Sequence, residues 1–209
     1  MDRTTGQNHV VNGGKRQFTD GPPGTAVEEG WLNAIQEEIM SVIEGAGIAP
    51  SSSDNTQLKQ AIFGGAYFAV QLSGTQSLAS NVVTKISLGN LGYVDSDSLS
   101  GWSITNNEYT VVRDGLYLFN AKAQAKSSIS SMGGVGLWLY KNGSPVSYSV
   151  IVPDSTTIQE TVNLTACIPL IAGNVISLYM RITNGNQVLG GSGGDPRWTD
   201  LLGIRIGPA

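Results

Sequence analysis

Gly115-Leu-Tyr-Leu-Phe-Asn-Ala-Lys-Ala-Gln-Ala-Lys126 alternates along its whole length. Tyr117, Phe119, Ala121, Ala123 and Ala125 fall on one face, and Leu116, Leu118, Asn120, Lys122 and Gln124 on the other. Successive side chains of a strand point to opposite faces, so a period of two specifies a long β-strand with one apolar side. The same period recurs downstream. Residues 135–140 lead into Lys141-Asn142-Gly143-Ser144, whose Asn-Gly pair tolerates the positive φ of a type I′ hairpin turn. Val162, Leu164, Ala166 and Ile168 share a face, as do Ile176, Leu178, Met180 and Ile182. The last strand alternates Leu202, Ile204 and Ile206. From Ala66 onward, roughly eight to ten short strand candidates cut by Gly, Asn, Pro and Ser predict an antiparallel β-sandwich or jelly roll.

Upstream of Gly64-Gly65 the period changes. Leu32, Ile35, Ile39, Val42 and Ala46 repeat at the spacing of a helix seam, flanked by Trp31 and Ile43. Glu28 and Glu29 suit the positive end of the helix dipole, and Gly45 and Gly47 supply the stop. The seam covers only about two heptads, too few for a self-sufficient coiled coil, so its pairing needs the head or neighbouring copies. Asp54 reads as the N-cap of a second short helix with Leu58, Ala61 and Ile62 on one face. Before all this, residues 1–27 are polar, and Thr19-Asp-Gly-Pro22-Pro23-Gly-Thr25 excludes helix. The expected organisation is therefore an extended arm (1–27), a helical stalk segment (28–65) and a β head (66–209).

Charged residues make up 13% of the chain and the net charge is −4, which argues against nucleic acid as a partner. No polybasic run and no stretch of roughly 18 apolar residues points to a membrane. The first thirty residues hold no apolar signal core, so synthesis in a cytoplasm is expected, with exit by lysis or within an assembly. Cys167 is the lone cysteine and is read as a strand thiol packed against its neighbours. His9, the lone histidine, lies in the polar arm, away from any nucleophile it would have to activate. Asp95 and Asp97, two apart, are a weak candidate for Ca²⁺ if extended. The competing reading is a solvated turn in which they bond local backbone. Glu108, Asp154 and Glu160 are isolated, which disfavours a two-carboxylate glycosidase. No enzyme activity and no cofactor are expected.

Gly115-Leu-Tyr117-Leu-Phe119 resembles the Gly-x-Tyr-x-Phe signature of the complement q-subcomponent globular head and its tumour-necrosis-factor-like relatives. Tyr109, Ile168-Pro-Leu-Ile-Ala-Gly173-Asn174 and the closing Leu201-Leu-Gly203-Ile-Arg-Ile206 extend the resemblance over about residues 83–207, with Asn174 and Leu201 where the family has Asp and Phe. It implies a ten-stranded jelly roll forming compact homotrimers. Asp20-Gly-Pro22-Pro23-Gly-Thr25, Trp31-Leu-Asn-Ala-Ile-Gln-Glu-Glu-Ile39, Ile43-Glu-Gly-Ala-Gly-Ile48 and Gln57-Leu-Lys-Gln-Ala-Ile62 resemble the virion-proximal segment of bacteriophage tail-fibre proteins. That resemblance implies attachment to a tail or baseplate through the N-terminus, with Pro22, Pro23 and Trp31 at the joint.

Together these readings predict a homotrimeric, virion-borne receptor-binding protein that adheres reversibly to a glycan or protein of a bacterial host. Leu32, Ile35, Ile39 and Val42 would meet at the trimer axis, with Tyr117, Phe119, Ala121 and Ala123 of the head. Alternatively, the alanines pack under the facing sheet of their own subunit. Loops at 126–134, 152–157 and 183–197 are expected at the end of the head away from its termini, with Ser128, Asp154, Asn184, Asn186, Gln187, Asp195 and Arg197 as receptor contacts. Against that, the glycines there serve close packing and Val188-Leu189 forms a short strand. Trp102, Trp138 and Trp198 either stack on sugar rings or pack internally. The rival functions are a structural virion adaptor or collar fibre, a small polysaccharide-degrading enzyme, and a secreted lectin.

Overall fold

The computed structural model describes residues 9–12, 15–18, 29–63, 65–91, 97–127, 132–154, 159–184, 187–190 and 198–208. The chain divides into two compact units, residues 1–63 and 64–209.

In the first unit, β1 (His9–Asn12) pairs antiparallel with β2 (Lys15–Phe18). These two strands lie within the segment expected to form an arm. Asn12-Gly13-Gly14-Lys15 carries the Gly-Gly signal of a two-residue hairpin, which the polar composition of the segment masked. Helix α1 (Glu29–Gly45) ends in a Schellman motif. Gly47 takes φ +73° and its N–H donates to the Glu44 carbonyl (2.8 Å), while the Ile48 N–H reaches back to Ile43 (3.2 Å). Helix α2 (Gln57–Phe63) packs on α1. Asp54 stands two residues ahead of the position expected of a cap. Its carboxylate accepts from the Thr56 N–H (2.8 Å) and hydroxyl (2.6 Å), and the Thr56 carbonyl takes the first helical bond from Gln60 (2.9 Å). Buried Gln57 ties down the linker by donating to the Ala49 carbonyl (2.7 Å) and accepting from the Ser51 N–H (2.9 Å).

The second unit contains β3 (Tyr67–Gln71), β4 (Thr75–Ser77), β5 (Thr84–Lys85), β6 (Asn90–Leu91), β7 (Trp102–Ser103), β8 (Glu108–Thr110), β9 (Gly115–Lys126) and β10 (Val135–Lys141). It continues with β11 (Ser144–Ile151), β12 (Gln159–Leu170), β13 (Val175–Ile182), β14 (Gln187–Leu189) and β15 (Asp200–Gly207). One sheet runs β6-β3-β15-β9-β12, with β14 and β4 added at the far end of β9; the other runs β7-β8-β13-β10-β11, with β5 on β13. Apart from the β10–β11 hairpin, successive long strands cross between the sheets, as in a jelly roll, and every pairing between named strands is antiparallel. At the Asn142-Gly143 turn both residues have positive φ (50° and 77°), as a type I′ turn demands.

The core lies between the sheets. Tyr117, Phe119, Ala121, Ala123 and Ala125 of β9 are completely enclosed there with Leu137 and Leu139 of β10 and Ile176, Leu178, Met180 and Ile182 of β13. Each large side chain so buried contributes about 1.5–3 kcal/mol. Phe68 stacks on Tyr109 with centroids 4.0 Å apart and on Trp102 at 5.6 Å, while Phe119 tilts against it at 6.3 Å. Gly203 of β15 makes this cluster possible, because a Cβ there would lie 2.7 Å from Phe68 Cζ and 2.9 Å from Phe119 Cε1.

Candidate functional site

Three sets of residues were expected to act at a surface: receptor contacts, attachment residues and association residues. The ends of the loops expected to contact a receptor converge. Lys126 of β9 sits opposite both Gln159 of β12 and Gln187 of β14, so the ends of the three loop segments meet at one end of the sandwich. The Ser127 hydroxyl donates to the Asn184 carbonyl (3.1 Å), and the Thr183 N–H and hydroxyl both reach the Gly134 carbonyl (2.9 and 3.0 Å). The opposite end holds the head's termini, where the Arg205 N–H donates to the Ala66 carbonyl (2.7 Å). Asp154 and Asn184 are exposed. Gln187 is not a loop residue: it begins β14, in which Val188 and Leu189 are buried. Ser128, Asn186, Asp195 and Arg197 lie outside the described residues, as do Pro22, Pro23 and Asp95.

Asp97 has a structural task. Its carboxylate accepts from the Trp102 N–H (2.6 Å) and the Leu99 N–H (3.4 Å), which is the turn-forming alternative to metal ligation. Among the described residues no three His, Cys, Asp or Glu side chains cluster as metal ligands would. Trp102 packs on Phe68, and its Nε1 is buried without a hydrogen-bond partner. Burial pushes the Tyr109 and Tyr117 hydroxyls above the usual tyrosine range; the Tyr117 hydroxyl donates to the Arg113 carbonyl (2.8 Å). Tyr109 and Tyr117 have no accessible surface and belong to the core.

The association residues divide sharply. In α1, Leu32 (52% exposed), Ile39 and Val42 (45%) are open while Ile35 and Trp31 are half-buried, so the seam is uncovered in a single chain. In the head the expectation is corrected. Tyr117, Phe119, Ala121 and Ala123 have no accessible surface, so they pack under the facing sheet of their own subunit and cannot touch a neighbour. The open side of the same sheet is the other one. Register places Cys167, Leu118, Ile204 and Tyr67 side by side across four strands, with Thr165, Asn120, Leu202 and Ala69 in the next row. Leu118, Leu202 and Ile204 are exposed, and Ile206 is 53% exposed. Cys167 is likewise exposed instead of packed. Toward the loop end this face turns polar, with Lys122 Nζ 3.6 Å from Asp200 Oδ2. The alternation of Leu202, Ile204 and Ile206 was legible, but its direction was not: Leu201 and Gly203 are the buried residues of β15.

No family model matches the chain, and no curated protein matches it. Solved structures do. The globular domain of zebrafish complement 1qA aligns with TM-score 0.51 and 16% identity over 69% of this chain and 99% of that one. Eiger TNF from S. frugiperda aligns at 0.50 and 12%, covering 69% and 95%. Murine APRIL aligns at 0.52 and 14%, covering 68% and 99%. The head has the complement-1q and tumour-necrosis-factor jelly-roll fold. At these identities the likeness describes the backbone path alone.

Proposed function

We propose that this chain is a homotrimeric adhesive protein of a bacteriophage tail, mounted through its N-terminal segment and binding a host bacterial surface receptor with its head. The observation that carries the self-association is the pair of uncovered apolar surfaces: the α1 seam, and the outer face formed by Leu118, Leu202, Ile204 and Ile206. Contiguous exposed apolar surface on a chain with so few charges is an interaction surface by default. A trimer would bury both and would leave the convergent loops at 126–134, 152–157 and 183–197 free for receptor contact. Weak individual sites then act together through trivalency. The virion attachment rests on the resemblance of residues 20–62 to tail-fibre segments.

Light scattering on the full chain tests the assembly. A native mass near three times 21.9 kDa is expected. The pair Leu118→Lys and Ile204→Lys, which inserts unpaired charge in that face, should lower it with the fold retained. A monomeric wild type would defeat the trimer. Fluorescently labelled protein applied to a panel of bacteria tests adhesion, and a correctly assembled trimer that marks none of them would favour the adaptor role.

A further inference from the structure

The outer face of the second sheet differs in chemistry from that of the first. Tyr148 of β11, Trp138 of β10 and Tyr179 of β13 are directly opposite one another, and Lys85 of β5 continues the row. At a strand spacing of about 4.8 Å this row spans about 14 Å. Tyr140 joins it with its ring centroid 4.1 Å from that of Tyr179. The indole of Trp138 lies down along its own strand over Gly136, where a Cβ would come within 2.6 Å of Cζ3 and 2.9 Å of Cζ2. Arg181 is held 5.5 Å from that ring, its Nε–H without a hydrogen-bond partner. Lys85 is committed to Glu108 (2.6 Å). Tyr148 is 69% exposed, and Trp138, Tyr140 and Tyr179 are half-buried.

We infer that this face is a glycan-binding platform, in which the C–H faces of sugar rings stack on Trp138 and Tyr148 and their hydroxyls bond to the tyrosine hydroxyls and Arg181. Rings with a polar edge and an apolar body suit a ligand that is itself apolar on one face and hydroxylated around its rim. A second copy of the chain is a poorer occupant, because the aliphatic face of the other sheet meets that need without burying tyrosine hydroxyls. A nucleic acid would also stack, but the chain carries net charge −4 and the row's lysine is already paired. The inference rests on the adhesive reading above and moves its sugar contacts from the loop end to the side of the head.

The test uses the full chain, with Tyr148→Ala, Tyr148→Phe and Asn184→Ala, run by affinity electrophoresis through gels containing bacterial lipopolysaccharide, dextran, mannan or β-glucan. Tyr148 is on an exposed edge strand, so its replacement leaves the fold intact, as circular dichroism will verify. Retardation by at least one polymer is expected, weakened tenfold or more in Tyr148→Ala and retained in Tyr148→Phe and Asn184→Ala. No retardation by any polymer, or retardation indifferent to Tyr148→Ala, overturns the platform. Cell binding abolished by protease treatment of the cells but untouched by periodate overturns it too, while leaving adhesion standing. Tyr148-dependent retardation without any cell binding upholds the platform and defeats the adhesive reading instead.

Discussion

Replacing Gly203 by alanine should destabilise the head, although alanine is in general the better strand residue. Gly203 faces inward between Phe119 of β9 and Phe68 of β3, its direct partners on either side. The added methyl would stand 2.7 Å from Phe68 Cζ and 2.9 Å from Phe119 Cε1, well inside van der Waals contact. Phe68 cannot swing away, since Tyr109 is stacked 4.0 Å behind it and Trp102 at 5.6 Å. Overpacking of this kind costs roughly 1–3 kcal/mol. The lower unfolded-state entropy of alanine offsets about 0.4–1 kcal/mol. The net expectation is a loss of about 1–2 kcal/mol, or a fall in Tm of roughly 2–8 °C for a unit of this size. Gly207→Ala in the same strand is the control, because nothing lies within 4 Å of its would-be Cβ. Thermal and urea unfolding at fixed protein concentration, followed by circular dichroism, will measure both. If Gly203→Ala matches or exceeds wild-type stability, the aromatic cluster is not packed against β15 in this way.

Thr199 is buried, donates to the Leu189 carbonyl (2.6 Å) and accepts from the Gln124 N–H (3.1 Å), so it joins β14 to β9. Thr199→Val keeps the shape but orphans both groups and should cost ~1–3 kcal/mol in urea unfolding; a neutral result would refute the bridge. The raised hydroxyl pKa values of Tyr109 and Tyr117 mean that above about pH 10 the unfolded chain has lost protons the folded chain keeps. Stability is therefore whole below that pH and falls as pH rises, by up to about 1.4 kcal/mol per unit for each tyrosine. Tyr109→Phe should flatten the alkaline slope of urea midpoints, and an unchanged slope would contradict the assignment.

The class of fold, the β9 strand and the Asn142-Gly143 turn were all legible, since each follows from local periodicity or from positive φ. What could not be read is which face of a strand looks inward when both are apolar, and how strands align across a bulge. On β15 the larger residues Leu202, Ile204 and Ile206 point outward, because Gly203 must yield its inner position to two phenylalanine rings. On β11 the two-residue turn fixes Lys141 opposite Ser144, and an unbroken ladder would then set Tyr148 opposite Leu137, inside the core. The register shifts between Leu139 and Tyr140, so Tyr148 stands opposite Trp138 instead. A one-residue slip turns a side chain to the other face, and so the aromatic row exists only because of this bulge. The Asp97 turn was legible as one of two readings because its bonds are local, to the N–H groups of Leu99 and Trp102, whereas the pairing of β14 with β4 and β9 depends on residues distant in the chain.

The scarcity of charge acquires a meaning from the two outer faces. Among the described residues each carries one ion pair, Lys122 with Asp200 on the aliphatic side and Lys85 with Glu108 on the aromatic side. Neither pair is buried enough to stabilise by more than about 1 kcal/mol. On the aliphatic face contact is then governed by apolar area and directional hydrogen bonds, while Arg181 keeps a positive charge on the aromatic one. Association through the Leu118–Ile204 face should then persist, or tighten, as ionic strength rises, because apolar burial is not screened. Sedimentation or light scattering across a salt titration will decide this. Dissociation on adding salt would mean that charges outside these faces hold the copies together, and the aliphatic face would lose its claim to be the interface.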